Sequence, residues 1–449
     1  MDQETQPPVS EKLGTGSECN EVPVPVSPPA ALSRRRMLQY GAAGLASVSC
    51  GGGLLWYFSS RIQAATAAEV FKNDAPTGDV WELWKKRGWV QEARHYLKLG
   101  KNLQCKLCPN QCLLGPEDRG RCRNRVHKDG VLYTLAYGNP TMPQQDPIEK
   151  KPLFHFLPGS RAFSFAAAGC GFRCLNCQNW NISQRKPEEL KDPRGSPFLM
   201  DARRLMSATE DDVNRMTILP DDMVAMADYF GCRSIAYTYS EPTVWFEYMI
   251  DTAKAARAKN LKNVWVTCGY IQDEPLGELC QYLDGVHIDL KGFDEEVYKK
   301  LNSGKLAPIL STIRRLRREG IWFEVVNLVV PTYTDDMDSI RRMCGWLVEN
   351  LGPDCPLHFS RFLPLHKLTQ LQPTPPEVLT AARAVAREAG LHYVYIGNCV
   401  EVKDAETTFC PNPKCGKPLV ERTGYSISTM DVVGGKCKFC DAPIAGVWA

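Results

Sequence analysis

Residues 162–183 read AFSFAAAGCGFRCLNCQNWNIS. A short apolar run of strand length leads into Cys170, Cys174 and Cys177, a C-x3-C-x2-C spacing. A structural zinc is normally closed by four protein ligands, and a fully protein-ligated 4Fe-4S cluster takes four thiolates. Three thiolates leave one metal corner open to an external ligand, so the stretch predicts a strand followed by a loop that holds a reactive metal centre. The competing readings are a zinc knuckle completed by a distant ligand, or buried cysteines with accidental spacing.

Working outward, residues 160 to 400 alternate short apolar runs with helical patterns, the rhythm of a parallel α/β sheet. Strands are predicted at AFSFAAA, SIAYTY, NVWVTC, GVHIDL, FEVVNLVV, LHFSRF and HYVYIG. Between them, stretches such as EPTVWFEYMIDTAKAARAKN place Trp245, Met249, Ala253 and Ala256 at helical spacing to cover the sheet. Near-continuous apolar strands mean that both sheet faces are buried, as in a barrel or a doubly wound sheet. In barrels the chemistry gathers on loops that follow the C-terminal ends of strands, which is where the cysteine trio falls.

The chain has 449 residues, 44% hydrophobic and 23% charged, with a formal net charge of +3. That composition is ordinary for a globular protein and gives no support to a nucleic-acid partner. The basic run containing Arg314, Arg315, Arg317 and Arg318 reads as the solvated face of a helix. Residues 1–32 are polar and proline-rich and are expected to be a disordered tail. Residues 33–68 open on Ser33-Arg34-Arg35-Arg36-Met37-Leu38, run through apolar and small residues, and offer an A-x-A at Ala65 to Ala67. This reads as a twin-arginine-like export signal or an N-terminal membrane anchor.

Nineteen cysteines are unevenly distributed. Besides the trio, Cys105, Cys108, Cys112 and Cys122 form one tight group and Cys410, Cys415, Cys437 and Cys440 another. Short CxxC-like spacings in a large α/β chain read as metal ligands before disulfides. Pro109, Gly115 and Gly120 permit the tight turns of a small metal loop in the first group, which suits a second iron-sulfur cluster or a structural zinc alike. The last group, two knuckles separated by short β-prone segments, predicts a zinc-ribbon-like module, with two disulfides as the alternative if the protein is exported. Cys232, Cys268, Cys280, Cys344, Cys355 and Cys399 are read as buried small residues.

Residues 100–449 resemble the radical S-adenosylmethionine (radical SAM) superfamily, whose signature is the C-x3-C-x2-C loop. The resemblance is closest to pyruvate formate-lyase activating enzyme-like proteins and the AmmeMemoRadiSam system enzymes, on CKLCPNQCLLGPEDRGRC, DPIEKKPLFHFLPGS, CQNWNIS, YTYSEPTVWFEY, HIDLKGF, SRFLP, PTPPE and YVYIGN. It implies that Cys170, Cys174 and Cys177 hold three irons of a 4Fe-4S cluster and that the fourth iron binds S-adenosylmethionine. One electron then splits that molecule to methionine and a 5'-deoxyadenosyl radical, which takes hydrogen from a substrate. It further implies Glu241 in Ser240-Glu241-Pro242 for the methionine ammonium, Asp289 and Lys291 for a ribose hydroxyl and the carboxylate, and His366 near the adenine. The respective alternatives are a helix N-terminal acid, a mutual structural ion pair and a structural histidine. Two departures stand out. Asn176 replaces the usual aromatic residue before the last cluster cysteine, leaving adenine packing to Phe172 or Trp180, and the glycine-rich turn is reduced to Tyr239-Ser240-Glu241. Cys268 lies in TCGY, near the expected site.

The expected architecture is thus a Cys-rich N-terminal extension at 69–158, a partial (βα) TIM-like radical SAM barrel at 159–402 and a zinc-ribbon-like module at 403–449. The implied cofactors are a 4Fe-4S cluster, S-adenosylmethionine and a structural zinc. The implied partners are a low-potential electron donor and a substrate for which a protein is one candidate. Activation of a glycyl radical enzyme is a second enzymatic reading, and a non-catalytic multi-zinc interaction protein the rival from another class. The N-terminal segment points to export or membrane association, whereas S-adenosylmethionine and strong reductants are cytoplasmic supplies.

Overall fold

A computed structural model describes residues 69–190 and 217–448. The proline-rich tail and the export-like segment expected at 1–68 lie outside the described residues. No helix among the described residues is long and apolar enough to cross a membrane.

All seven predicted strands are present, and an eighth joins them. The strands are β1 (Thr141–Pro147), β2 (Arg161–Ala166), β3 (Ser234–Tyr237), β4 (Lys262–Thr267), β5 (Gly285–Asp289), β6 (Trp322–Val329), β7 (Leu357–Arg361) and β8 (Val394–Gly397). They hydrogen-bond in sequence order, so that one eight-stranded sheet runs from β1 to β8. Pairing from β2 onward is parallel, with Val264 opposite both Ala236 and Gly285, whereas β1 runs antiparallel to β2, with Asp146 opposite Ala162. Strand β1 went unpredicted because TMPQQDP shows no apolar alternation and contains two prolines, which an edge strand tolerates. Residues 141–147, expected in the N-terminal extension, form the edge strand of the main sheet.

Alternation along the strands sorts the two faces. Phe163, Phe165, Ile235, Tyr237, Trp265, Val286 and Ile288 enter the main core, which packs against the helices. The predicted helix at 241–260 is a 3-10 turn, Pro242–Trp245, running into the α-helix Phe246–Ala258, and Trp245, Met249, Ala253 and Ala256 are all fully buried. In the helix Leu306–Arg318, Ile309, Ile313 and Leu316 face inward while Arg314, Arg317 and Arg318 are exposed, the solvated basic face expected.

The opposite sheet face carries smaller residues because another segment fills it. Ile148, Leu153, Phe156 and Leu157 pack on Ala162, Ala236 and Val264. The fit at Gly285 is tight: a methyl group there would stand 2.9 Å from the Phe156 ring. Beneath lies a buried polar network. Glu324 accepts hydrogen bonds from Phe154 N (3.0 Å), His155 N (2.7 Å) and His358 Nε2 (2.7 Å). His155 Nδ1 lies 2.6 Å from the Ala445 carbonyl, which can only accept, so Nδ1 carries the proton and Nε2 accepts from Tyr395 Oη at 2.6 Å. Burial lowers the His155 pKa to about 4, in keeping with a neutral ring.

The C-terminal module is a three-stranded antiparallel sheet of Thr408–Phe409, Pro418–Thr423 and Ser426–Met430, followed by the hairpin Val432–Val433/Lys436–Cys437. Arg422 anchors it to the same network by donating to the Phe154 carbonyl at 2.7 Å.

Candidate active site

The strand β2 delivers Ala167, Ala168 and Gly169 to the loop that bears Cys170, Cys174 and Cys177. Gly169 has φ +90°, and a methyl group on it would lie 2.2 Å from the Cys122 carbonyl oxygen, so only glycine fits. The turn at Tyr298–Asn302 clamps the loop: Arg173 N donates to Asn302 O (3.0 Å) and Leu175 N to Leu301 O (2.9 Å). Each sulfur has a polar neighbour. Phe172 N lies 3.4 Å from Cys170 Sγ, Asn302 Nδ2 lies 3.2 Å from Cys174 Sγ, and Ser183 Oγ lies 3.2 Å from Cys177 Sγ.

Burial raises all three thiol pKa values, that of Cys174 to about 11, although Lys291 opposes the rise at Cys174 and Cys177. Such thiols become thiolates at neutral pH only with a compensating cation, and a metal centre is the usual one. Hydrogen bonds to sulfur and a nearby lysine fit an iron-sulfur cluster, whose properties depend on both.

Glu241 lies on the loop after β3 and N-caps the Pro242–Trp245 turn. Its Oε1 accepts from Thr243 N (3.1 Å), Thr243 Oγ1 (2.7 Å) and Thr267 Oγ1 (2.7 Å), and its Oε2 from Cys268 N (2.9 Å) and Cys268 Sγ (2.8 Å). The helix N-terminal role is therefore present, and Cys268 faces the carboxylate. Asp289, at the end of β5, bridges His287 Nε2 (3.0 Å) and Lys291 Nζ (2.9 Å). Burial works against its charge, but Lys291 and His287 outweigh that and hold the carboxyl well below its usual range. The ion pair named as the alternative thus exists, and the Lys291 charge also favours the thiolates of Cys174 and Cys177.

His366 stacks on Trp180, and Lys367 N donates to Leu175 O at 2.9 Å, so the segment is tied to the cysteine loop. Phe172 is withdrawn from any adenine role: it is 1% exposed and packs on Tyr270 and against Gly304, where a methyl group would stand 2.5 Å from its ring. Trp180, at 39% exposed, remains available. Asn176 Oδ1 is buried without a hydrogen-bond partner. Asn302, Ser183 and Asn179, which donates to Tyr239 O at 2.8 Å, were not singled out from sequence. Ser183 lies inside the cysteine stretch itself, while nothing local marks Asn302.

The other two cysteine groups differ in compactness. Cys410 and Cys440 sulfurs stand 3.6 Å apart, Cys415 and Cys437 sulfurs 3.8 Å apart, and all four lie within 4.8 Å of one another. Bonds of about 2.3 Å to a tetrahedral zinc give a sulfur–sulfur edge of about 3.8 Å, so this set fits a mononuclear ion. Among the described residues it is the only group of potential ligands that compact. Cys105, Cys108, Cys112 and Cys122 are all buried thiols, and none of the described cysteines forms a disulfide.

The mostly parallel α/β sheet thus carries three thiols on the loop after its first parallel strand. The profile of the Radical SAM superfamily matches residues 166–344. Uncharacterized protein MJ0808 of Methanocaldococcus jannaschii is 43% identical over 358 residues, 79% of this chain and 99% of that protein. Pyruvate formate-lyase 1-activating enzyme of Escherichia coli (strain K12) is 23% identical over 218 residues, 47% of this chain and 76% of that one. A domain of pyruvate-formate lyase-activating enzyme from Bacteroides vulgatus superposes with a TM-score of 0.33 and 21% identity, covering 37% of this chain and 99% of that domain. The chain belongs to the radical SAM superfamily.

Proposed function

We propose that the protein cleaves S-adenosylmethionine reductively at a 4Fe-4S cluster held by Cys170, Cys174 and Cys177, and that its sheet curves as a partial barrel around the substrate. The observation that carries this reading is the cysteine loop itself, with three half-buried thiols, three polar neighbours to sulfur and Lys291 beside them. The cluster, when bound, supplies an open iron for the amino and carboxylate groups of S-adenosylmethionine and the electron that breaks its sulfonium bond.

The chain's own residues orient that cofactor. Lys291 offers a cation to a carboxylate, and Asp289 offers an acceptor to a ribose hydroxyl. Glu241 fixes the turn beside Cys268 and contributes negative charge near Cys170, where an ammonium is favoured. Trp180 and His366 provide a flat surface for the adenine. The C-terminal cysteines hold a structural zinc that folds the small module. The relatives named as activating enzymes of pyruvate formate-lyase and isethionate sulfite-lyase support a protein as substrate, with activation of a glycyl radical enzyme as the second reading and a low-potential donor as electron source.

The test is electron paramagnetic resonance of anaerobically reconstituted, dithionite-reduced protein. Adding S-adenosylmethionine should shift the cluster signal, and a Cys170→Ala, Cys174→Ala, Cys177→Ala variant should lack the responsive signal. A cluster signal with no component that responds to S-adenosylmethionine in the intact protein would refute the proposal.

A further inference from the structure

The two four-cysteine groups look alike in sequence but not in space. In the C-terminal set the sulfurs close to 3.6 and 3.8 Å, as a single tetrahedral ion demands. The set at Cys105, Cys108, Cys112 and Cys122 does not close to that spacing, since the C-terminal set is the only such group among the described residues. Yet the four residues are gathered into one place. Cys105 ends the strand Asn102–Cys105, and its N–H donates to the Cys112 carbonyl at 2.9 Å. Gln111 N closes a turn on the Cys108 carbonyl at 3.0 Å. A methyl group on Gly120, two residues before Cys122, would stand 4.0 Å from Cys112 Sγ. All four side chains are buried, between 6% and 8% exposed.

Four buried thiols gathered in one place, but not closed to the spacing of a single ion, match the donor set of a polynuclear centre, in which each thiolate binds a different metal atom. The surroundings favour an anionic centre. Arg125 is buried beside Cys105, pairs with Glu247 at 2.8 Å, and keeps its Nε without a hydrogen-bond partner.

The set also abuts the first cysteine loop. Asn110 Nδ2 and Arg121 Nε both donate to the Gly171 carbonyl at 3.0 Å, and a methyl group on Gly171 would stand 4.0 Å from Cys108 Sγ. Gly169 packs its backbone on the Cys122 carbonyl. We propose that Cys105, Cys108, Cys112 and Cys122 hold a second 4Fe-4S cluster, fully ligated by protein and packed against the loop of Cys170, Cys174 and Cys177. With four thiolates it has no open iron, so it holds an electron and binds neither S-adenosylmethionine nor substrate. Reduction by dithionite adds one electron to it, and no bond forms or breaks.

This inference extends the reading of the first cluster, and one experiment separates their failures. Iron, sulfide and zinc are counted in full-length protein reconstituted anaerobically, beside the Cys170→Ala, Cys174→Ala, Cys177→Ala variant and a Cys108→Ser, Cys112→Ser variant. Two cubanes give about eight irons per chain, and each variant should lose about half. The triple variant should also keep a dithionite-induced resonance that S-adenosylmethionine does not alter. If the triple variant holds no iron, with or without zinc beyond the one expected at the C-terminal cysteines, while the intact protein holds about four irons, the second cluster is refuted and the first stands. If the triple variant keeps all of the iron, the first reading fails while the second survives.

Discussion

Trp180 and His366 lie face to face, with ring centroids 5.5 Å apart and planes inclined by 17°. The pair joins the end of the cysteine loop to the segment after β7, two regions separated by nearly the whole sheet. Neither ring is buried, so a third flat group has a surface to lie on.

If that group is the adenine, shortening either ring weakens S-adenosylmethionine binding. Trp180→Ala should raise the dissociation constant roughly tenfold, the scale of one lost aromatic contact, while Trp180→Phe should retain most affinity. Anaerobic equilibrium dialysis measures both, and equal affinity in the alanine variant would remove the stack from the site.

Gly169→Ala should disrupt both cysteine loops together. The residue has φ +90° and its added methyl would meet the Cys122 carbonyl at 2.2 Å, so strain and overpacking combine to more than about 2 kcal/mol. Urea unfolding should show that loss, and iron content after reconstitution should fall with it.

Stability should decline in mild acid. His155 titrates near 4 in the folded protein because burial disfavours its charge, against an ordinary value near 6.5. Its contribution is complete above pH 6.5 and is lost as pH falls through the folded value, since only the unfolded chain takes up the proton in that window. The loss is on the order of 3 kcal/mol. Urea midpoints between pH 7 and pH 4 should show it, and a His155→Gln variant should show a flatter profile.

If the C-terminal cysteines hold a zinc, Cys437→Ser should release it and loosen the small module, because the four sulfurs converge on one point. The expected result is the loss of about one zinc per chain and new tryptic cleavage within residues 403–448. Unchanged zinc content would contradict it.

Much of this was legible in the sequence because it is local. Seven strands were readable from apolar runs, and the cysteine trio from its spacing and its place after the first of them. What was hidden depends on distant packing. Phe172 looked free to meet the adenine until Gly304, far along the chain, proved to receive its ring. Asn302 reaches Cys174 from a turn with no local motif. The two four-cysteine groups share CxxC spacing, and spacing along the chain does not report how far apart the sulfurs come to rest.

The most direct measurement is dithionite-driven 5'-deoxyadenosine formation by the anaerobically reconstituted full-length protein and by its Cys170→Ala, Cys174→Ala, Cys177→Ala variant. Radical SAM chemistry at this loop predicts 5'-deoxyadenosine and methionine from the intact protein and none above background from the variant. Equal yields from both, or none from an intact protein that carries its iron, would contradict it.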